Sequence, residues 1–443
     1  MNVVGEKVSM KLNLCVSVVA MAVGLVGNGC GGKQTIPEPK PPEPFLPAAG
    51  TCPGALPGQN VQVTVAMGES NFPEVTWTGK RFDISWWDLR NPHPTVYTVG
   101  MDREGYEASP LMRISGDGTA KQHSVFSDGK ETNLVWKEEA QIYATRLGNG
   151  DAEPMLLATS GTDPAAGPWG GAAFVDEGLL YFRCDGMIDL KTGAPLPPVP
   201  VASGGIENPR MAYNGVYYAI VWSESAAGGR NIVLQRVSPK GEKLGGQVKV
   251  SAVAGQSRKP TIAWAGKNFA VAWTNAAPGG ENPKNRYRIF LAMVPEVGDR
   301  PLWTKQLKFS GSADQVAIAA TGKEYGLAWV GSRDDGGSAI YLQRINLKGD
   351  PLEGTVEVTD GVPYVCSNPN LVWDGKGYAV VWHDDRGQVD TEIYMSYVAC
   401  GEEPPPSETP AEDTAAAGPA PIEDAPSSPP DNSNGLPGLK EAF

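Results

Sequence analysis

The sequence is short of the side chains on which most chemistry near neutral pH depends. It has 3 histidines, His93, His123 and His383, in 443 residues. None has HExxH spacing, a second histidine at i+4, or a CxxC partner, so no zinc-site pattern is present. GxSxG and Walker-type glycine loops are also missing. Each histidine therefore reads as a lone surface side chain, and no catalytic set, metal or cofactor is expected. Positive charge is scarce as well. The formal net charge is −13, where a phosphate-backbone binder needs a basic stripe, so nucleic acid is excluded as a partner. No apolar run is long. The longest, LNLCVSVVAMAVGLVG at 12–27, falls short of the ~20 residues that span a bilayer. With 54 glycines and 39 prolines, the chain favours turns over long helices.

The two ends are set apart by composition. Lys11 followed by that apolar run reads as a secretory signal over 1–29, and Met10 makes a more usual start than Met1. Residues 31–50 hold six prolines and predict an extended, semi-rigid spacer. Residues 401–443 combine ten prolines, nine acidic side chains and one lysine without apolar periodicity, which predicts a disordered tail. The folded part is expected at 51–400.

Within it the chain repeats. NPRMAYNGVYYAIVW (208–222), KPTIAWAGKNFAVAW (259–273), QVAIAATGKEYGLAW (315–329) and NPNLVWDGKGYAVVW (368–382) share one plan. A short apolar strand, a glycine turn and an apolar-aromatic strand end in tryptophan, at spacings of 51, 56 and 53. A polar loop, a third strand and a short VxV[ST] strand follow. Weaker copies precede these at 72–86, 123–136 and 171–184, the last with Cys184 near the tryptophan position. Units of roughly fifty residues with four strands each predict an all-β fold, a β-propeller of seven four-stranded blades. The seventh unit stops at Cys400 with three strands. VQVT at 61–64 supplies the missing one, so residues 61–66 are expected to complete the last blade and cover its edge. That pairing brings Cys52 beside Cys400 and predicts a disulfide. Cys184 and Cys366 are then left to pair by elimination.

The recurring Trp136, Trp222, Trp273, Trp329 and Trp382 are expected to pack between blades. The loops after the repeat's tryptophans read WWDLR, WKEE, WVGSRDD and WHDDR. They would place Asp88, Arg90, Glu138, Glu139, Arg333, Asp334, Asp384 and Arg386 on one face. That face is either a recognition surface or a set of local Asp–Arg pairs that shape each loop. SRDDGGSA (332–339) approaches a sialidase Asp-box, but Ala339 replaces its closing aromatic and it follows the wrong strand. IDLKTGAP (188–195) matches one turn of a quinoprotein-type repeat in a single copy.

Two resemblances add expectations. VGNGC ending at Cys30, followed by Gly-Gly, resembles a bacterial lipoprotein signal, with Gly27 where that family usually carries leucine. It implies that Cys30 is the lipidated first residue of an outer-membrane-anchored envelope protein, joined to the membrane through its lipid alone. The PxxxxxxGxxYxxxW rhythm over about 61–398 resembles the repeats of secreted bacterial propeller lipoproteins. It implies a non-enzymatic scaffold that binds a partner envelope protein on one face. A glycan-binding or glycan-processing, sialidase-like propeller is the alternative.

Overall fold

Apolar residues that alternate over five to nine positions between glycine, asparagine and proline turns form strands and little else. The computed structural model describes residues 37–148, 153–251, 253–276, 287–309, 311–334, 336–361, 365–386 and 390–401. The signal segment, Cys30 and the tail from 402 lie outside the described residues. Among the described residues there is no α-helix, only the 3-10 turn Pro168–Gly170.

The strands associate as four-stranded antiparallel sheets, one per sequence unit. The fourth and fifth units fuse into one larger sheet where Gly229 and Arg230 run parallel to Gly255 and Gln256. First strands touch in chain order: Ser70–Trp77, Gln122–Ser127, Thr162–Ala166, Ile206–Tyr213, Gly255–Trp264, Ala313–Ala320 and Ser367–Trp373. The last of these also touches the first. Second strands such as Phe82–Asp88 are wholly buried, while fourth strands such as Glu107–Arg113 are largely exposed. The arrangement is propeller-like, with first strands around a central channel. Trp136, Trp222, Trp273, Trp329 and Trp382 are all no more than 2% exposed, so the repeated tryptophan is core.

The two chain ends meet on the last sheet. Leu56–Pro57 and Val61–Gln62 pair antiparallel with Glu392–Ala399, and Val63 N–H donates to the Ile393 carbonyl at 2.8 Å. Cys52 and Cys400 form a disulfide at that end. Cys52 N–H also donates to Glu324 Oε1 at 3.0 Å. Glu324 is fully buried and receives two hydrogen bonds from Arg344, at 2.7 and 2.8 Å. The closing segment is therefore anchored to a desolvated ion pair in the neighbouring unit, and removing Arg344, which also reaches Glu353 at 2.8 Å, would leave the buried Glu324 charge uncompensated.

Three sequence expectations change. First, the third unit is displaced by one strand. Gly171–Asp176 and Leu179–Cys184 are its second and third strands, and its first is Thr162–Ala166. Second, Cys184 and Cys366 do not bond. Cys184 packs in the core of the third and fourth units, its Sγ 3.5 Å from Tyr218 Oη, while Cys366 lies in the core of the sixth and seventh. The displacement puts Cys184 on the third strand of the third unit, in a core cluster separate from the one that holds Cys366 and out of its reach. Third, residues 37–50 are not a free spacer. Phe45 lies over the turn glycines Gly79 and Gly129, Pro44 over Gly215, and Ala48 and Ala49 over Gly375 and Gly322. Trp373 Nε1 donates to the Ala48 carbonyl at 3.0 Å and Gly50 N–H to Thr321 at 3.1 Å. These turns join first to second strands, so the strap lies across the end of the channel that they border. A Cβ on Gly129 would come 2.4 Å from the Phe45 ring, which keeps that turn bare.

Denatured, unreduced protein spanning 31–443 should titrate with two free thiols, Cys184 and Cys366; a count of zero would restore the second bond. Joint replacement of Cys52 and Cys400 by serine should lower the melting temperature in line with a loss of up to about 5–6 kcal/mol from a loop this long. The same change at Cys184 and Cys366 should remove the thiol signal only.

Candidate functional site: the channel mouth and its loops

The loops after the repeated tryptophans stand at the end of the channel opposite the strap. In the first unit Asp88 pairs across the sheet with Ser70, so the end of each second strand lies beside the start of a first strand. The sequence-predicted residues do gather there, but mostly as local pairs. Asp88 is fully buried, accepts from Trp86 Nε1 at 2.9 Å and pairs with Arg90 at 2.7 Å. The Arg90 guanidinium covers the Tyr97 ring at 4.4 Å. Asp384 repeats the arrangement with Trp382 Nε1 at 2.7 Å, Arg386 at 3.1 Å and Tyr394 at 3.9 Å. Burial raises the Asp384 carboxyl above its ordinary range, opposed by Trp382 and Arg386. Glu138 accepts from Trp136 Nε1 at 3.1 Å and from the Gly116 and Gly118 amides, both at 2.9 Å. Glu139 accepts from Thr119 N–H at 2.7 Å, which lowers its carboxyl. Arg333 pairs with Glu357, and Asp334 is exposed. A carboxylate two residues after a strand tryptophan shares its face, so Trp-x-Asp/Glu holds the indole N–H together with a loop group, an arginine at Asp88 and Asp384 and backbone amides at Glu138.

The sequence did not reveal the ring inside. Phe72, Asp163, Asn208, Lys259, Gln315 and Asn368 all have φ near +50°, a region that few non-glycine residues adopt. Each sits where the first strand slips register against the second, as between Arg258 and Thr261. A bulge of this kind re-aims a side chain. Here every unit but the second does so at the same position, and proline follows in all but Gln315-Val316. These residues line one cavity of about 420 Å³ to which all seven first strands contribute.

Hydrogen bonds link the ring from unit to unit. Asp163 N–H donates to Gln122 Oε1 at 3.1 Å and Asn368 N–H to Gln315 Oε1 at 2.5 Å, while the Asn208 backbone N–H lies near the Asp163 carboxylate and favours its charged form. Phe72 N–H donates to His383 Nδ1 at 3.1 Å, which joins the last unit to the first. Burial raises the Asp163 carboxyl and lowers the Lys259 ammonium. Deeper in, Glu74 of the first unit meets Arg210 of the fourth at 3.2 Å, a bar across the channel. Glu74 also accepts from Val125 N–H at 2.8 Å. His123 is 7% exposed, and neither ring nitrogen has a hydrogen-bond partner. Burial lowers its imidazole below the usual range, and the nearby Ser85 carbonyl forms no well-aligned bond with it. His123 and His383 are thus buried, against the expectation of lone surface histidines. No group of His, Cys, Asp or Glu among the described residues could hold a metal ion.

Burial places the His383 imidazole at about 4. Below its unfolded value near 6.5 the unfolded chain takes up a proton that the folded state refuses. The contribution is complete above about 6.5 and lost as pH falls to about 4, on the order of 3 kcal/mol. His383→Gln keeps an acceptor for Phe72, so the variant should show a flatter fall in stability over that window in denaturant titrations. Asp384→Ala should cost about 3 kcal/mol by leaving Trp382 and Arg386 without their buried partner, read as a lower melting temperature.

No protein-family model matches the chain, and no curated protein matches it either. Solved structures do. A subtype N11 neuraminidase-like protein from a flat-faced bat isolate of Peru shares 10% identity, with a TM-score of 0.43 over 82% of this chain and 98% of that one. A neuraminidase-like protein from a Guatemalan bat isolate shares 8% identity, with a TM-score of 0.43 over 81% and 98%. Kuenenia stuttgartiensis hydrazine synthase shares 11% identity, with a TM-score of 0.44 over 73% and 96%.

Proposed function

We propose that the protein is a non-enzymatic binding protein of the cell envelope that takes a polar ligand, of the glycan class, at the mouth of its central channel. In this reading the chain is a seven-bladed propeller closed by residues 61–66 and tethered at the outer membrane through Cys30. The observation that carries it is the bulge ring. Six backbone positions are held at unfavourable φ, and together they turn their side chains toward one cavity of about 420 Å³. That volume falls in the range of small-molecule sites, which combine apolar walls with a few convergent polar groups. Strain of this kind, repeated around a ring and aimed at one cavity, favours a binding role. A non-catalytic role is supported by the state of the two channel carboxylates. Glu74 is held by Arg210 and Asp163 by Gln122, whereas glycoside hydrolysis needs one acid and one base or nucleophile free to act.

A partner envelope protein is the second reading. Val65 and Met67 are 86% and 90% exposed, and Leu89 next to them is 37% exposed, an apolar patch at the rim of the same face. The paired Asp88, Arg90, Asp384 and Arg386 would serve here as the frame of the loops.

A glycan array with the full mature chain tests the first reading. Its signals should vanish in Asn370→Trp, which fills the cavity, while the melting temperature holds. If the array stays silent and a photo-crosslinker at Met67 captures one envelope protein in cells, the second reading replaces it.

A further inference from the structure

The cations around the channel are accounted for one by one, and one is left over. Arg210 holds Glu74, and Arg258 holds Asp314 at 3.0 Å while covering the Tyr287 ring at 4.4 Å. Lys121 stands 5.3 Å from the Trp87 ring. Lys259 has no acceptor among the described residues. It sits at φ +48°, half-buried, in the bulge of the fifth first strand, and it lines the cavity.

Its place in the ring makes the surplus informative. At that position Gln315 accepts the backbone N–H of the next unit's bulge residue, and the Asp163 carboxylate faces the Asn208 N–H. An ammonium cannot accept, and the Gln315 N–H turns instead to Asp314 Oδ1 at 2.8 Å. Lys259 therefore gives up the inter-unit bond, is partly desolvated, and forms no direct ion pair: the Asp314 carboxylate acts on it through space and is already held by Arg258. A half-exposed ammonium without a direct ion pair, on the wall of a cavity, offers its charge to an anionic partner from outside. The surroundings say what else that partner carries. Carboxamides line the same cavity at Asn208, Gln315, Asn368 and Asn370, groups that can donate to and accept from hydroxyls. Phe72, 49% exposed and 6.0 Å from Trp87, offers an apolar face. His123, buried with both nitrogens free, lines the same cavity.

We propose that the channel mouth binds an acidic sugar, its carboxylate on Lys259 Nζ and its hydroxyls on the surrounding carboxamides. The proposal rests on the glycan-binding reading above and narrows it to an anionic saccharide.

The test is calorimetric titration of the full mature chain with a galacturonate trimer, the matching neutral galactose trimer and inorganic sulfate. Lys259→Gln is the informative variant, because Gln315 shows that this bulge accepts glutamine. Lys305→Gln, at an exposed pair with Asp350, is the control. The acidic trimer should bind the parent protein about tenfold or more tighter than the neutral one, a difference of about 1.4 kcal/mol. Lys259→Gln should erase that preference and leave neutral binding and Lys305→Gln unaffected. Equal binding of both trimers, indifferent to Lys259→Gln but blocked by Asn370→Trp, overturns the acidic-sugar proposal and leaves the channel reading standing. Sulfate binding as tight as the acidic trimer overturns the sugar and leaves a plain anion site. Binding of none of the three overturns the proposal together with the glycan reading on which it rests.

Discussion

The last sheet has three strands of its own, and its third, Glu392–Ala399, would present a bare edge. An open edge invites pairing with other chains. The chain covers this one with residues from its other end, and most of the architecture follows from that contact. It fixes where the chain must start, brings Cys52 to Cys400, and sets Cys52 N–H against the buried Glu324–Arg344 pair. It also carries the strap 37–50 over the turns at one end of the channel. Local contacts hold each unit together, and this non-local contact holds the first and last units in place. The bulge residues can then point at a common centre, because no unit is free to drift outward.

A second pattern links core and surface. The tryptophan that fills each inter-unit space needs a partner for its indole N–H. In four units an acidic residue two positions on supplies it, at Asp88, Glu138, Glu224 and Asp384. In the first and last units the same carboxylate fixes an arginine over a tyrosine ring. The polar loop face is thus largely an outgrowth of core packing, and most of its charges already have partners.

The repeat was legible because its strongest marks, tryptophan and glycine, are fixed by packing and by turn geometry that change little between units. VQVT was legible as a displaced strand for the same reason. The third unit was not. It lacks the terminal tryptophan, and its first strand, Thr162–Ala166, is too short to show alternation, so the pattern locked onto the next hairpin and carried Cys184 with it. The channel ring was hidden by its chemistry: phenylalanine, aspartate, asparagine, lysine and glutamine occupy equivalent positions. Only the proline behind them recurs, and it reads as an ordinary strand start. The fact that makes these residues a set, a backbone turned to positive φ at one height in six of the seven units, has no signature in a single sequence.

The strap and the disulfide together set how the protein would carry mechanical load. Tension on the N-terminal side meets the strap first, where contacts such as Trp373 to Ala48 and Thr321 to Gly50 give way one at a time. It then reaches Cys52, which is covalently joined to Cys400. A pull between the two ends of the chain passes through that sulfur bridge and by-passes every sheet between them. The strands around the channel stay unloaded, so the cavity they line would keep its shape under such a pull.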